Sequence, residues 1–213
     1  MTDWLDVSLV LIILSNVFLL GSSLMGACIR IVAIQGVLLG VVTLAVQDTI
    51  TVHAAVMAAA SLFLKGLIFP RLLFWALREA GVRREVEPFV GFTTSILIGT
   101  LALGVSMWLG SRLPLPVPVV SDLVVPVALS TIFTGLFLIL SRRKALNQVL
   151  GYIVLENGIY IFGVALALKE PVVVELGVLL DVFVAVFIMG ITVFQISREF
   201  DHTDTDRLDS LKE

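Results

Sequence analysis

The stretch RRKALNQVLGYIVLENGIYIFG, Arg142 to Gly163, decides how the rest of the chain is read. Three basic residues lead into an apolar run of membrane length, and one carboxyl group, Glu156, sits inside that run. At about 1.5 Å of rise per helical residue, it lies roughly 16 Å into a hydrocarbon layer about 30 Å thick. A charge at that depth is costly, so the side chain must face protein or water rather than lipid. The positions at i±4 spacing on the same face are Gln148, Tyr152 and Tyr160, which predicts a polar-capable stripe on an otherwise apolar helix. Two readings of Glu156 are open: a structural acid that ties two helices together, or a functional group of the kind intramembrane acids usually are.

Composition extends the membrane reading to the whole chain. Of 213 residues, 59% are hydrophobic and 15% charged, with a mean hydropathy of +1.09, whereas a soluble domain is about half apolar and a quarter charged. The expected fold is all-α, a polytopic membrane helical bundle of seven transmembrane helices near 5–28, 29–46, 52–75, 89–110, 122–140, 145–168 and 172–197. The N-terminus MTDWLD lacks a basic region ahead of the first apolar run, so that run is expected to stay as a span. The natural divisions are a four-helix segment (1–110), a Pro-rich outer loop (111–121), a three-helix segment (122–197) and a polar cytoplasmic tail (198–213). Nucleic acid is not an expected partner; the lipid bilayer is. With Cys28 the single cysteine and His53 and His202 the two histidines, this chain by itself cannot build a disulfide, an iron–sulfur cluster or a multi-His/Cys metal site. No cofactor is expected in it, and any redox centre would belong to another subunit.

The basic residues orient the bundle. Seven spans would gather Arg30, Arg71, Arg78, Arg83, Arg84, Arg142, Arg143, Lys144, Arg198, Arg207 and Lys212 on one side, and Arg112 and Lys169 on the other. The positive-inside bias then predicts an outer N-terminus and a cytoplasmic C-terminus.

Lys65 falls outside both groups, because it lies inside the third span. Pro70 follows five residues later and cannot donate to the carbonyl of Gly66, so a kink beside the lysine is expected. Lys65 either lines an internal cavity or snorkels along its stem to the interface. The last span holds two acids. Glu175 is shallow and expected to be interfacial, whereas Asp181 is deeper, with small residues Gly177 and Ala185 at i±4 that would let another helix approach. Spans 1–3 and 5–7 also run in parallel order. As a repeat they would put Gln35-Gly36 in the place of Glu156-Asn157-Gly158, and Lys65 in that of Asp181.

The basic cluster, the helix whose mid-membrane acid is followed by Asn157, and the helix LLDVFVAVFIMGITVFQISR with its second acid and basic end together resemble the small K-type subunit of respiratory complex I. The C-type subunit of multisubunit cation/proton antiporters is similar. Both have three helices, so that resemblance covers residues 122–200 at most. Over its whole length, and especially in LKGLIFP, LENGIYIFG and FDHTDTDRLDSLKE, the chain more closely resembles the hydrogenase-4 component E family.

The resemblance implies a non-catalytic membrane subunit of a formate-hydrogenlyase-like, group 4 nickel–iron hydrogenase complex in a bacterial or archaeal cytoplasmic membrane. Its implied partners are antiporter-like and complex I-like membrane subunits and a soluble nickel–iron hydrogenase-type module. Glu156 matches the family's acid on the middle helix of the triplet. Asp181 falls where the complex I subunit has a glutamate, a change that shortens the reach by one methylene. The implied role is a proton path of Glu156, Asp181 and Lys65, supported by Gln148, Tyr152, Tyr160 and Gln35. An antiporter subunit and a passive scaffold are the alternative expectations.

Overall fold

A computed structural model of the protein describes residues 2–45, 55–56, 59, 62–79, 89–113, 121–166 and 190. Among them every regular element is helical: α1 (Thr2–Gly21), α2 (Met25–Ala45), a π-helical turn (Leu64–Ile68) running directly into α3 (Phe69–Glu79), α4 (Phe92–Gly110), α5 (Val124–Ser141) and α6 (Ala145–Leu166). Four of these are long and apolar enough to cross a membrane: Trp4–Gly21, Met25–Ala45, Phe92–Gly110 and Val124–Ser141. α6, with 22 residues, is about 33 Å long and also exceeds the hydrocarbon thickness. The seventh expected span, with Glu175 and Asp181, lies outside the described residues apart from Gly190, as does the tail.

The first break between helices differs from the expectation at 28/29. It falls at Ser22–Leu24, where the Ser22 hydroxyl accepts the Leu24 N–H at 3.3 Å. A serine pair after Gly21 offers the backbone local partners in place of helix, a chemistry that a hydropathy window does not register. Cys28 and Arg30 therefore belong to the first turns of α2.

Contacts at the two ends show that successive helices alternate in direction. At one end Arg142, buried after the last turn of α5, donates from Nη2 to the Leu20 carbonyl of α1 at 3.1 Å, satisfying one of the carbonyls that a helix C-terminus leaves over. Its guanidinium lies 5.2 Å from the Phe92 ring centre, and burial pushes its pKa down from the ordinary value. At the other end Ser121 donates to the Asp6 carboxylate at 2.6 Å, and Gly110 meets the Pro126 ring.

α5 and α6 approach most closely, through glycines. A β-carbon on Gly135 would run into the Leu155 backbone, one on Gly151 would come within 2.8 Å of the Ile139 nitrogen, and one on Gly158 within 2.6 Å of the Ile132 nitrogen. Lipid tails give no hydrophobic drive for two apolar helices to associate, so backbone proximity of this kind is what packing in a membrane relies on. α4 is peripheral. Its Leu97, Leu101, Val105 and Trp108 are exposed, as a lipid-facing or partner-facing helix requires.

The buried apolar side chains form two separate clusters. One, toward the basic end, includes Leu19, Leu20, Ile29, Val32, Phe69, Leu138 and Val154. The other includes Leu9, Ile12, Leu39, Val42, Val127, Ala128, Tyr160 and Ile161. On α1, α2, α5 and α6 alike, the buried residues between the two clusters are polar or glycine.

Candidate functional site

That intervening layer holds a lysine, a carboxylate, three amides and two hydroxyls. The Lys65 ammonium donates to Glu156 Oε1 at 2.8 Å and to Asn157 Oδ1 at 3.2 Å. Both charged side chains are shut away from solvent, at 1% and 2% exposure. Lys65 therefore does not snorkel to the interface. Asn157 passes the network on, donating from Nδ2 to Gln35 Oε1 at 3.2 Å. Gln35 donates from Nε2 to Ser15 Oγ at 2.6 Å and Asn16 Oδ1 at 2.9 Å, and Asn16 donates from Nδ2 to Thr131 Oγ1 at 2.8 Å. The ends are tied to backbone, since Ser15 donates to the Ile12 carbonyl at 2.7 Å and Thr131 to that of Val127 at 2.7 Å. Five elements are joined at one level.

Lys65 reaches the layer because of local backbone geometry. It sits in the π-helical turn immediately before Pro70, and the Phe69 N–H donates to the Leu64 carbonyl five residues back. Proline removes the next donor of an α-helical ladder, and a widened turn absorbs the misfit where a kink was expected. The turn packs on Gly36 of α2, where an added β-carbon would lie 2.6 Å from Lys65 Cβ and 2.8 Å from its carbonyl carbon. Gly36 thus gives the lysine its place, and its neighbour Gln35 holds the amide side of the network.

A second polar contact lies one turn further along α6. The Tyr160 hydroxyl and Thr43 Oγ1 are 3.0 Å apart, and Thr43 also donates to the Leu39 carbonyl at 2.8 Å. The Thr43 hydrogen being committed there, Tyr160 is the donor between them. The Lys65 ammonium stands 5.0 Å from the centre of the Tyr160 ring, a cation–π distance.

Of the residues singled out from the sequence, the structure brings Glu156, Lys65, Gln35 and Tyr160 together. Gln148 is separate: it is exposed and donates to the Arg142 carbonyl at 3.2 Å. Tyr152 is partly buried against the apolar cluster at the basic end. The first half of the i±4 stripe, Gln148 and Tyr152, thus stands at the basic end and outside the polar layer. Asp181 lies outside the described residues. Ser15, Asn16, Thr43 and Thr131 had no part in the sequence reading, and Asn157 entered it only as part of a motif. Asn16 had a usable signal: an amide at mid-depth in an apolar run, found by the count that singled out Glu156. Among the described residues no group of three or more His, Cys, Asp or Glu side chains could hold a metal ion.

The fold and site define a multi-pass membrane helical protein with a buried lysine–carboxylate pair at mid-height. Residues 123–213 match the family model of NADH-ubiquinone/plastoquinone oxidoreductase chain 4L. The uncharacterized protein Rv0085 of Mycobacterium tuberculosis is 32% identical over 209 residues, covering 95% of this chain and 93% of the relative. Hydrogenase-4 component E of Escherichia coli K12 is 27% identical over 155 residues, covering 73% of this chain and 72% of its own; the Shigella flexneri protein of that name matches equally. No solved structure matches the chain. The chain belongs to one family with Rv0085, and its similarity to hydrogenase-4 component E and, over residues 123–213, to complex I chain 4L supports the resemblance read from the sequence.

Proposed function

We propose that this chain is a membrane subunit of a hydrogenase-4-like, complex I-related assembly, in which the Lys65–Glu156 pair forms part of a proton path coupled to redox chemistry in partner subunits. The observation that carries the reading is that pair itself. Two opposite charges are held 2.8 Å apart at a depth where desolvation is most costly, and a buried pair adds little net stability over well-packed apolar residues. A purely structural tie could be made of leucines.

The amides of Asn157, Gln35 and Asn16 fix orientation and are poor proton carriers, whereas hydroxyls both donate and accept. The path we favour therefore leaves Glu156 toward Tyr160 and Thr43, and Lys65 shifts between partners as the carboxyl gains or loses its proton. Asp181 is the proposed second acid, on a seventh span, with the N-terminus outside and the C-terminus cytoplasmic. The soluble partner would be a nickel–iron hydrogenase-type module, and the membrane partners antiporter-like and complex I-like subunits.

Purification of the tagged chain in mild detergent, with identification of the co-purifying chains, tests the assembly. A nickel–iron large subunit supports the proposal, whereas antiporter subunits alone would replace it with an antiporter role. In sealed vesicles, Glu156→Gln should keep the bound subunits and artificial-acceptor redox activity but lose proton translocation. Glu156→Asp, shorter but ionisable, should keep more of it if a water bridges the gap. Undiminished pumping by Glu156→Gln would reduce the acid to a packing element.

A further inference from the structure

At the basic end of the bundle, the first turns of α2 and the last turns of α3 line an open cavity of about 520 Å³. Gly26 and Ala27 leave room in its floor, Leu24 and Phe74 give it apolar walls, and Arg30 and Arg78 place one guanidinium on each helix. Both arginines are exposed, and among the described residues no carboxylate lines the cavity. Two like charges on opposite walls call for an anion between them, and the guanidinium fork suits a phosphate.

The surface below the cavity indicates what the phosphate is attached to. Arg30, Ile34, Val37 and Val41 recur at helical spacing and are all exposed, forming one stripe down α2 from the guanidinium into the apolar zone. The steps from Arg30 to Val41, at about 1.5 Å each, make the stripe roughly 16 Å long, close to half of a hydrocarbon core about 30 Å thick. A charged head over an apolar track one leaflet deep fits an amphiphile better than a soluble anion.

We propose that this cavity holds the headgroup of an anionic phospholipid, its phosphate between Arg30 and Arg78 and an acyl chain along Ile34, Val37 and Val41. The site is independent of the ion path, because it uses none of the polar-layer residues and faces lipid instead of the helix interior. It would bind one leaflet of the membrane to the α1–α2 turn and α3, the helix that continues from the turn carrying Lys65.

The test is native mass spectrometry of the full-length chain, released from detergent with phosphatidylglycerol or phosphatidylcholine of identical acyl chains. The wild type should retain one phosphatidylglycerol in clear preference to phosphatidylcholine. Arg30→Gln/Arg78→Gln should weaken that retention about 30-fold, the effect of two basic residues at an anionic surface. Ala27→Leu should also reduce it, by filling the cavity with both charges intact. Arg112→Gln, at the opposite end, should leave it unchanged, and thermal unfolding of each variant separates lipid loss from misfolding. Equal retention of the two lipids, full retention by the double variant, or displacement by millimolar inorganic phosphate as effective as by added lipid would each overturn the assignment.

Discussion

Glu156 and Lys65 are coupled through a contact of 2.8 Å in a buried layer, so neither can be altered without affecting the other. Lys65→Met leaves a buried carboxyl without its ammonium, and Glu156→Gln leaves a buried ammonium without its carboxylate. Removing one partner of a buried pair costs about 3–5 kcal/mol when the remaining charge cannot be relieved. The double variant Lys65→Met/Glu156→Gln removes both charges and leaves an amide that Asn157 can still approach. Thermal unfolding in detergent should therefore show the double variant less destabilised than the sum of the singles, by on the order of 1–3 kcal/mol. Simple additivity would mean that the two groups do not interact in the folded protein.

Glycines set how closely the elements approach, and the sign of a Gly→Ala change depends on what stands opposite. At Gly36 a new methyl meets Lys65 Cβ at 2.6 Å and its carbonyl carbon at 2.8 Å, atoms held by the π-helical turn that cannot swing aside as a side-chain tip would. Gly36→Ala should destabilise the chain by about 1–3 kcal/mol and loosen the Lys65–Glu156 contact. Gly104 in α4 has nothing within 4 Å of its would-be β-carbon, so Gly104→Ala should be neutral or stabilising by about 0.5–1 kcal/mol, through helix propensity alone. Measured side by side, the two melting shifts should have opposite signs. Two shifts of the same sign would contradict the close seating of the turn on α2.

For the molecule as a whole, the basic residues Arg30, Arg78, Arg142, Arg143 and Lys144 lie on helix ends that the tertiary contacts gather at one end of the bundle. By the positive-inside rule, that end is the one expected to face the cytoplasm. In a Cys28→Ser background, an impermeant thiol reagent on intact cells should label a cysteine introduced at Pro116, in the expected outer loop. It should spare one introduced at Asp209, in the expected cytoplasmic tail, until the cells are opened. The reverse pattern would invert the membrane orientation and, with it, the leaflet to which Arg30 and Arg78 belong.

What the sequence determined by itself was set by residue chemistry along one chain. Apolar runs too long for a soluble core made the protein a helical membrane bundle, and charges at mid-depth singled out Glu156 and Lys65, because each such group costs several kcal/mol in hydrocarbon wherever its partners are. The family, too, could be read from linear motifs. What only the tertiary structure decided was which groups meet. Nothing along the chain says that Lys65 pairs with Glu156, 91 positions away, or that Gln35 bridges Asn157 to Asn16. The i±4 count on α6 gave Gln148 and Tyr152 the same weight as Tyr160, although Gln148 bonds the Arg142 carbonyl at the basic end and stands outside the layer. The reason is physical: depth in a membrane follows from residue number at a fixed rise, whereas facing depends on helix rotation, which is set by small residues such as Gly36, Gly135 and Gly158 and by the backbone opposite them.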